Sequence, residues 1–132
     1  MSKRMNISSG THWEQQIGYS RAVRVGSIIE VAGTTAVEHD RVIGENDAYA
    51  QAKFIFSKID KALTECGTSL NDVVRTRMYV TDIEYWEAVG RAHGECFAAI
   101  RPAATLLVVA ALVDPRLLVE IEVTAIMSDG CE

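Results

Sequence analysis

The stretch RPAATLLVVAALVDPRLLVEIEVTAIM, Arg101 to Met127, constrains this chain more than any other segment. It reads as two strands joined by a short Asp114-Pro115 turn. The first strand, Thr105 to Val113, is apolar at nearly every position. The second alternates, with Val119, Ile121 and Val123 on one face and Glu120, Glu122 and Thr124 on the other. A strand without a polar face is usually buried on both sides. A chain this short has helices of its own for one side, so the other side is expected to meet a second subunit. A site at a subunit interface follows from that expectation.

The 132 residues suffice for a single domain, 1–132, with one core. Net charge is −5, and no run of Lys or Arg forms a basic patch. Arg75 and Arg77 are close in sequence, but two arginines do not make a patch, and a nucleic-acid partner is disfavoured. No segment approaches the roughly 20 apolar residues of a membrane helix. The start, MSKRMNISSGTHWEQQ, lacks the apolar core of a signal peptide. A cytoplasmic protein without a membrane partner is expected. Cys66, Cys96 and Cys131 have unrelated spacings that fit neither a disulfide framework nor a zinc site. Cys66 and Cys96 read as small buried residues, and Cys131 as a free thiol in a frayed tail. No His, Cys, Asp or Glu cluster has metal-ligand spacing, so neither metal nor cofactor is expected.

Met5 to Ser8 reads as a short strand. Ser20–Val25 and Ile28–Gly33 read as a hairpin with Gly26-Ser27 as a type II′ turn. Thr34 to Glu45 reads as a loop. Asn46 is the expected N-cap of a helix running to Cys66, with Gly67 ending it. Phe54, Ile55, Ile59, Ala62 and Leu63 form its apolar stripe, and Lys53, Asp60, Lys61 and Glu65 its wet side. Val73–Thr81 is the next strand, with Val74, Thr76, Met78 and Val80 on one face and Arg75, Arg77 and Tyr79 on the other. Thr81-x-x-Glu84 reads as a capping box for a helix from Ile83 to Ala99. Its stripe is Tyr85, Val89, Ala92 and Cys96. Pro102 ends it and favours an extended Arg101. The order β-β-β-α-β-α-β-β predicts an α+β fold, a mixed β-sheet with two helices on one face. Leu107, Val109 and their neighbours would then be wet unless subunits associate.

DAYAQAKFIFSKIDKALTECG, DVVRTRMYVTD and RPA…LVEIEVTAI resemble the Rid family, also called YjgF or L-PSP. IGYSRAVRVG and VAGTTA resemble its N-terminal hairpin. The resemblance implies a chorismate-mutase-like fold and a homotrimer with small-molecule clefts between neighbouring subunits. It implies hydrolysis of imines and enamines derived from amino acids, with release of ammonia. Other members are labelled endoribonucleases or translation inhibitors. The arginine that clamps a substrate carboxylate in the deaminating branch corresponds to Ala104. Alanine cannot supply that bidentate fork. Other pocket positions of the family correspond to Ala32, Gly90 and Leu106. The family's tyrosine falls at Ser20, with Tyr19 adjacent. Glu120 matches the pocket glutamate, and Gly33 would border the cleft.

Glu120 and His93 are therefore the candidate catalytic residues. A carboxylate beside apolar strand residues is raised in pKa and suited to proton transfer. His93 lies at the edge of a helix stripe, where a neutral imidazole can act as base or donor or simply pack. Gly33, Thr34, Tyr19, Ser20, Arg77 and Arg101 are the candidate substrate-binding residues. Arg77 and Arg101 are the substitutes for the missing clamp, with surface or interface ion pairs as the alternative. His12 and His39 read as solvated. Trp13 and Trp86 read as core residues or as cover for a pocket mouth. Three functions remain open: a hydrolase for imines or enamines, a non-catalytic binding or sensing trimer, and an endoribonuclease.

Overall fold

A computed structural model describes residues 3–128, so Cys131 lies outside the described residues. The elements are β1 (Arg4–Ile7), α1 (His12–Ile17), β2 (Ala22–Val25), β3 (Ile28–Thr34), β4 (Val37–Glu38), β5 (Arg41–Val42), α2 (Ala48–Glu65), β6 (Val73–Val80), α3 (Trp86–Phe97), β7 (Ala103–Val108) and β8 (Val119–Ile126). Six strands form one sheet in the order β1-β2-β3-β8-β6-β7, and β4 and β5 form a small hairpin. Among the described residues only the β6–β7 pair is parallel.

Alternation decides which face of the sheet the helices cover. Val119, Ile121, Val123 and Ala125 of β8 are buried, as are Thr76, Met78 and Val80 of β6. They pack with Ile55, Phe56, Ile59 and Leu63 of α2 and Val89, Ala92 and Phe97 of α3. Fully burying each large aliphatic side chain stabilises by roughly 1.5–3 kcal/mol. The opposite, open face carries Arg75, Arg77, Tyr79, Glu120, Glu122 and Thr124 in register across β6 and β8. Two helices on one face of a mixed sheet is the expected α+β architecture.

The Gly26-Ser27 turn forms as expected, with φ +62 at Gly26. Gly67 follows α2 at φ +90, the left-handed residue that ends a helix. Arg24 adds a donor there, with Nη1 2.7 Å from the Cys66 carbonyl. Cys66 is buried and Cys96 half-buried.

Several local expectations are corrected. The segment Arg101–Met127 is not a hairpin: α3 carries the chain in a crossover that lays β7 parallel to β6, and β6 separates β7 from β8. The apolar strand stops at Val108 and lies at the sheet edge, with Leu107 52% and Val108 51% exposed in the single chain. Asp47, not Asn46, caps α2 by accepting from Ala50 N at 3.0 Å, because Asn46 is left-handed at φ +62. Phe56 is buried in the α2 stripe and Phe54 only partly.

Val74 is exposed and Val73 buried, because the β6–β8 register slips between Val73 and Arg75. Asp82, not Thr81, caps the Ile83–Tyr85 turn of 3-10 helix that precedes α3. Arg101 is left-handed at φ +51 rather than extended, since its N–H closes the helix end on the Phe97 carbonyl at 2.7 Å. Trp13 and Trp86 are exposed and do not belong to the core. Val109 lies beyond β7 and is half-buried, with its N–H on the Val80 carbonyl at 2.8 Å.

Candidate functional site

Glu120 of β8 faces the open side, with Tyr79 of β6 as its cross-strand partner. On its other flank β8 pairs with β3, and that ladder slips between Val31 and Thr34. The irregularity releases Ala32 and Gly33 from regular pairing. Gly33 lies so close to Glu120 that a β-carbon there would collide with the carboxylate Oε2. Glycine therefore lets the carboxylate rest against the strand. Burial pushes the Glu120 carboxyl above its ordinary 4.5, Arg21 opposes the shift, and Glu122 adds to it.

Arg21 enters β2 on the same side of the strand as Val23. Its Nη2 donates to the Gly33 carbonyl at 2.5 Å, and its guanidinium carbon lies 5.9 Å from the Tyr19 ring centroid. Its Nε is buried without a partner, and among the described residues Arg21 forms no ion pair. Burial pulls its pKa down, while Tyr19, Glu14 and Glu120 pull it back. Lys58 of α2 holds the next residues, donating to the carbonyls of Thr35 at 2.9 Å and Val37 at 2.8 Å. Burial and the Arg21 charge bring its amine down to about 8 against the opposing Glu38. Two cations, one from the residue before β2 and one from α2, thus satisfy the carbonyls of an irregular segment.

A cavity of about 630 Å³ opens over this segment, lined by Tyr19, Ser20, Ala32 and Gly33 together with Arg4, Asn6, Glu14, Glu30 and Glu122. Its acidic groups are already engaged. Glu14 accepts from Ser8 Oγ at 2.9 Å, from Ser9 N at 3.1 Å and from the Ser9 hydroxyl. Burial alone would raise Glu14, but these bonds and Arg21 hold it below its ordinary value. Glu30 accepts from Thr124 Oγ1 at 2.7 Å. Glu122 accepts from the Tyr79 hydroxyl at 3.1 Å and lies 3.6 Å from Arg77 Nη1. Asn6 Nδ2 donates to Ser20 Oγ at 2.8 Å.

The structure thus gathers Tyr19, Ser20 and Gly33 at one cavity wall, with Glu120 against Gly33. Thr34 is buried, and its hydroxyl donates to the Ala32 carbonyl at 2.8 Å, so it braces the wall from behind. Arg77 is occupied by Glu122, and Arg101 is exposed at the end of α3. His93 is not brought to Glu120. Its Nε2 lies 2.8 Å from Thr76 Oγ1 on the helix-covered face, and its ring centroid is 5.9 Å from that of Phe56 and 4.8 Å from that of Phe97. Burial pulls its pKa below the ordinary 6.5. The sheet separates it from Glu120.

Thr76 is also the cross-strand partner of Ala104, and Met78 that of Leu106. Gly90 lies one turn before His93 on α3. These positions collect at the β7–α3 edge, away from the cavity wall. Among the described residues no three His, Cys, Asp or Glu side chains converge in a group able to hold a metal ion. No helix among them is long and apolar enough to cross a membrane. Sequence reasoning missed Arg21 and Glu14. Arg21 carried no local signal, because its role depends on a carbonyl released by an irregularity in β3. Glu14 carried none, because its partners come from an irregular loop.

A family model described as Endoribonuclease L-PSP matches residues 12–127. An uncharacterised Streptomyces coelicolor protein, SCO2049, is 44% identical over 119 residues, covering 90% of this chain and 89% of its own. A RutC family protein of Pyrococcus abyssi is 33% identical, with 81% of this chain and 84% of its own covered. The crystal structure of Rv2704 from Mycobacterium tuberculosis, described as a member of the YjgF/YER057c/UK114 family, superposes with a TM-score of 0.87 at 45% identity over 95% of this chain and 100% of its own. With its fold, its order of elements and nearly all its length matched, the chain belongs to the Rid/YjgF/L-PSP family.

Proposed function

We propose that the chain works as a homotrimer whose inter-subunit clefts hydrolyse an imine or enamine that is not clamped by the family's usual arginine. The observation that carries the reading is Glu120, a half-buried carboxylate raised by burial and seated against a glycine of the cavity wall. In its ionised form it takes a proton from water. The water oxygen adds to the carbon of the C=N bond, and the proton passes to nitrogen. The hydroxyl proton of the adduct then moves to nitrogen as the C–N bond breaks, so that ammonia leaves and a carbonyl compound remains. An enamine enters the same course after its β-carbon takes a proton from water and the C=N bond forms. Tyr19, Ser20 and Gly33 would contact the substrate, with Thr34 behind them.

Two features support assembly. Leu107 and Val108 leave an apolar edge uncovered in the single chain. The family's pocket positions also fall in two groups, Ala32, Gly33 and Glu120 on one side, and Gly90, Ala104 and Leu106 at the β7–α3 edge. One cleft made from both groups needs two subunits. His93 would then enter from the second group. Arg77 and Arg101 remain candidate anion contacts of the cleft.

The test is ammonia release from freshly generated 2-aminoacrylate and from uncharged imines, with wild type beside Glu120→Ala. Turnover that disappears in the variant supports the reading. A wild type at background on every compound overturns it and favours the binding or sensing trimer. That second reading draws on Ala32, Gly90, Ala104 and Leu106, none of which offers a polar side chain. The endoribonuclease reading is weaker, because Glu14, Glu30 and Glu122 line the cavity and would repel phosphate.

A further inference from the structure

We infer that Arg21 is the positioning residue of this site: it fixes the Gly33 carbonyl and the Tyr19 ring, and through them the seat of the Glu120 carboxylate. The slip between Val31 and Thr34 removes Gly33 from the β3–β8 ladder. A carbonyl released in this way needs another donor, and Arg21 Nη2 supplies it. The same guanidinium lies 5.9 Å from the centroid of Tyr19, a residue of the cavity wall. A planar fork can hold a carbonyl in its plane and meet an aromatic face with its own. One side chain therefore ties together two wall residues that are 14 positions apart in sequence, Tyr19 and Gly33.

Charge points the same way. The buried Arg21 Nε has no partner, and no carboxylate pairs with the guanidinium among the described residues. The charged and titratable groups whose fields reach it are Tyr19, Glu14, Glu120 and Lys58. Glu120 is thus held in the field of a cation that does not occupy its oxygens. Among the described residues no side-chain donor occupies either oxygen, while the cation favours the ionised form. Glu122 acts in the opposite sense, from the same strand. Without Arg21, burial and Glu122 would act on Glu120 unopposed, and the Gly33 carbonyl would lose its donor.

The geometry stands by itself, and only its consequence for turnover rests on the hydrolase reading. The experiment is a carbon-13 NMR titration of the Glu120 carboxyl in wild type, Arg21→Lys and Arg21→Gln, with turnover measured in parallel. In Arg21→Gln the midpoint is expected to rise by about 1 unit, in line with the loss of a nearby opposite charge. Arg21→Lys keeps the charge and is expected to stay near wild type. An unmoved midpoint in a folded Arg21→Gln overturns the inference, whether or not any substrate turns over. A wild type without turnover, together with a moved midpoint in Arg21→Gln, would instead overturn the hydrolase reading alone. Should Arg21→Gln not fold, the wild type decides. An Arg21 guanidinium held on Gly33 shows separate, slowly exchanging Hη resonances, and averaged resonances overturn the proposal.

Discussion

Gly33 and Glu120 are fitted to one another: the space a β-carbon would need at Gly33 is filled by the Glu120 carboxylate. The Gly33 backbone is not left-handed, so the constraint is steric rather than conformational. In Gly33→Ala the flexible carboxylate end gives way and the strand stays. The expected result is an unchanged circular dichroism spectrum and a melting temperature within a few degrees, about 1 kcal/mol. Turnover should fall by about 10²-fold, the scale of one general base. Wild-type turnover in a folded Gly33→Ala would mean that the position of Glu120 does not matter.

The pH profile tests the same carboxylate. A base works when ionised, and burial raises the Glu120 carboxyl above 4.5. kcat/KM should therefore climb with pH through that raised value and level off above it. For stability the sign is opposite. A carboxyl with a raised folded pKa contributes stability below its unfolded value, and that contribution is lost as pH rises through the folded value. Glu120→Gln should accordingly be more stable than wild type in urea near neutral pH, and the difference should vanish towards about pH 4. An equal difference at both pH values would show that titration is not its cause.

The strands of the main sheet and the two long helices were legible in the sequence because they follow period 2 and period 3.6, whereas α1 and the β4–β5 hairpin, within a segment read as a loop, are too short to show a period. The alternation in β8 placed Glu120 and Glu122 on the open face without any structure. Strand order was not legible in that way. An Asp-Pro pair between apolar runs reads as a hairpin turn, yet β7 finds its partner in β6 through α3, and no local pattern carries that choice. Val74 was misplaced because a one-residue slip reverses the faces of a strand. Of the site, Glu120 and Gly33 were legible through family resemblance. Arg21 was not, since its role depends on a carbonyl released by an irregularity in a different strand.

His93 gives a second pH signature. Its imidazole is half-buried beside Thr76 and depressed below 6.5. A base with a depressed folded pKa contributes stability above its unfolded value, and loses it as pH falls through the folded value. Wild type should lose unfolding free energy as the pH drops below 6.5. In His93→Asn, which can still bond Thr76, that part of the slope should be missing. Identical slopes in denaturant titrations across this window would assign the acid sensitivity to other groups.

Gln51 joins three backbone groups that no secondary structure satisfies. Its Nε2 donates to the carbonyls of Gly44 at 3.1 Å and Arg116 at 3.0 Å, and its Oε1 accepts from Leu118 N at 2.9 Å. The side chain is completely buried, so water cannot replace it. Gln51→Leu keeps the volume and leaves the Arg116 carbonyl and the Leu118 N–H unpaired, while the Gly44 carbonyl keeps the Asp47 N–H at 3.0 Å. Each buried orphan costs about 1–3 kcal/mol, and the variant should lose several kcal/mol in chemical denaturation. A loss below about 1 kcal/mol would mean that the loops before α2 and before β8 readjust freely.

Leu107 tests assembly. It stands opposite Tyr79 on the open face of the edge strand and is 52% exposed in the single chain. An aspartate there meets water if the chain is alone, so the subunit should fold. In a trimer that covers this edge, the same substitution buries an unpaired charge and removes about 1.5–3 kcal/mol of apolar burial at each interface. Leu107→Asp should then elute as a folded monomer in size-exclusion chromatography with light scattering. Turnover should fall with it, since Glu120 and the Ala104 edge would no longer share a cleft. Val109 is a poorer probe, because its N–H is already tied to Val80 and its side chain is half-buried. An intact trimer carrying Leu107→Asp would place the interface elsewhere on the molecule. A monomer with full turnover would show that one chain is sufficient for the reaction.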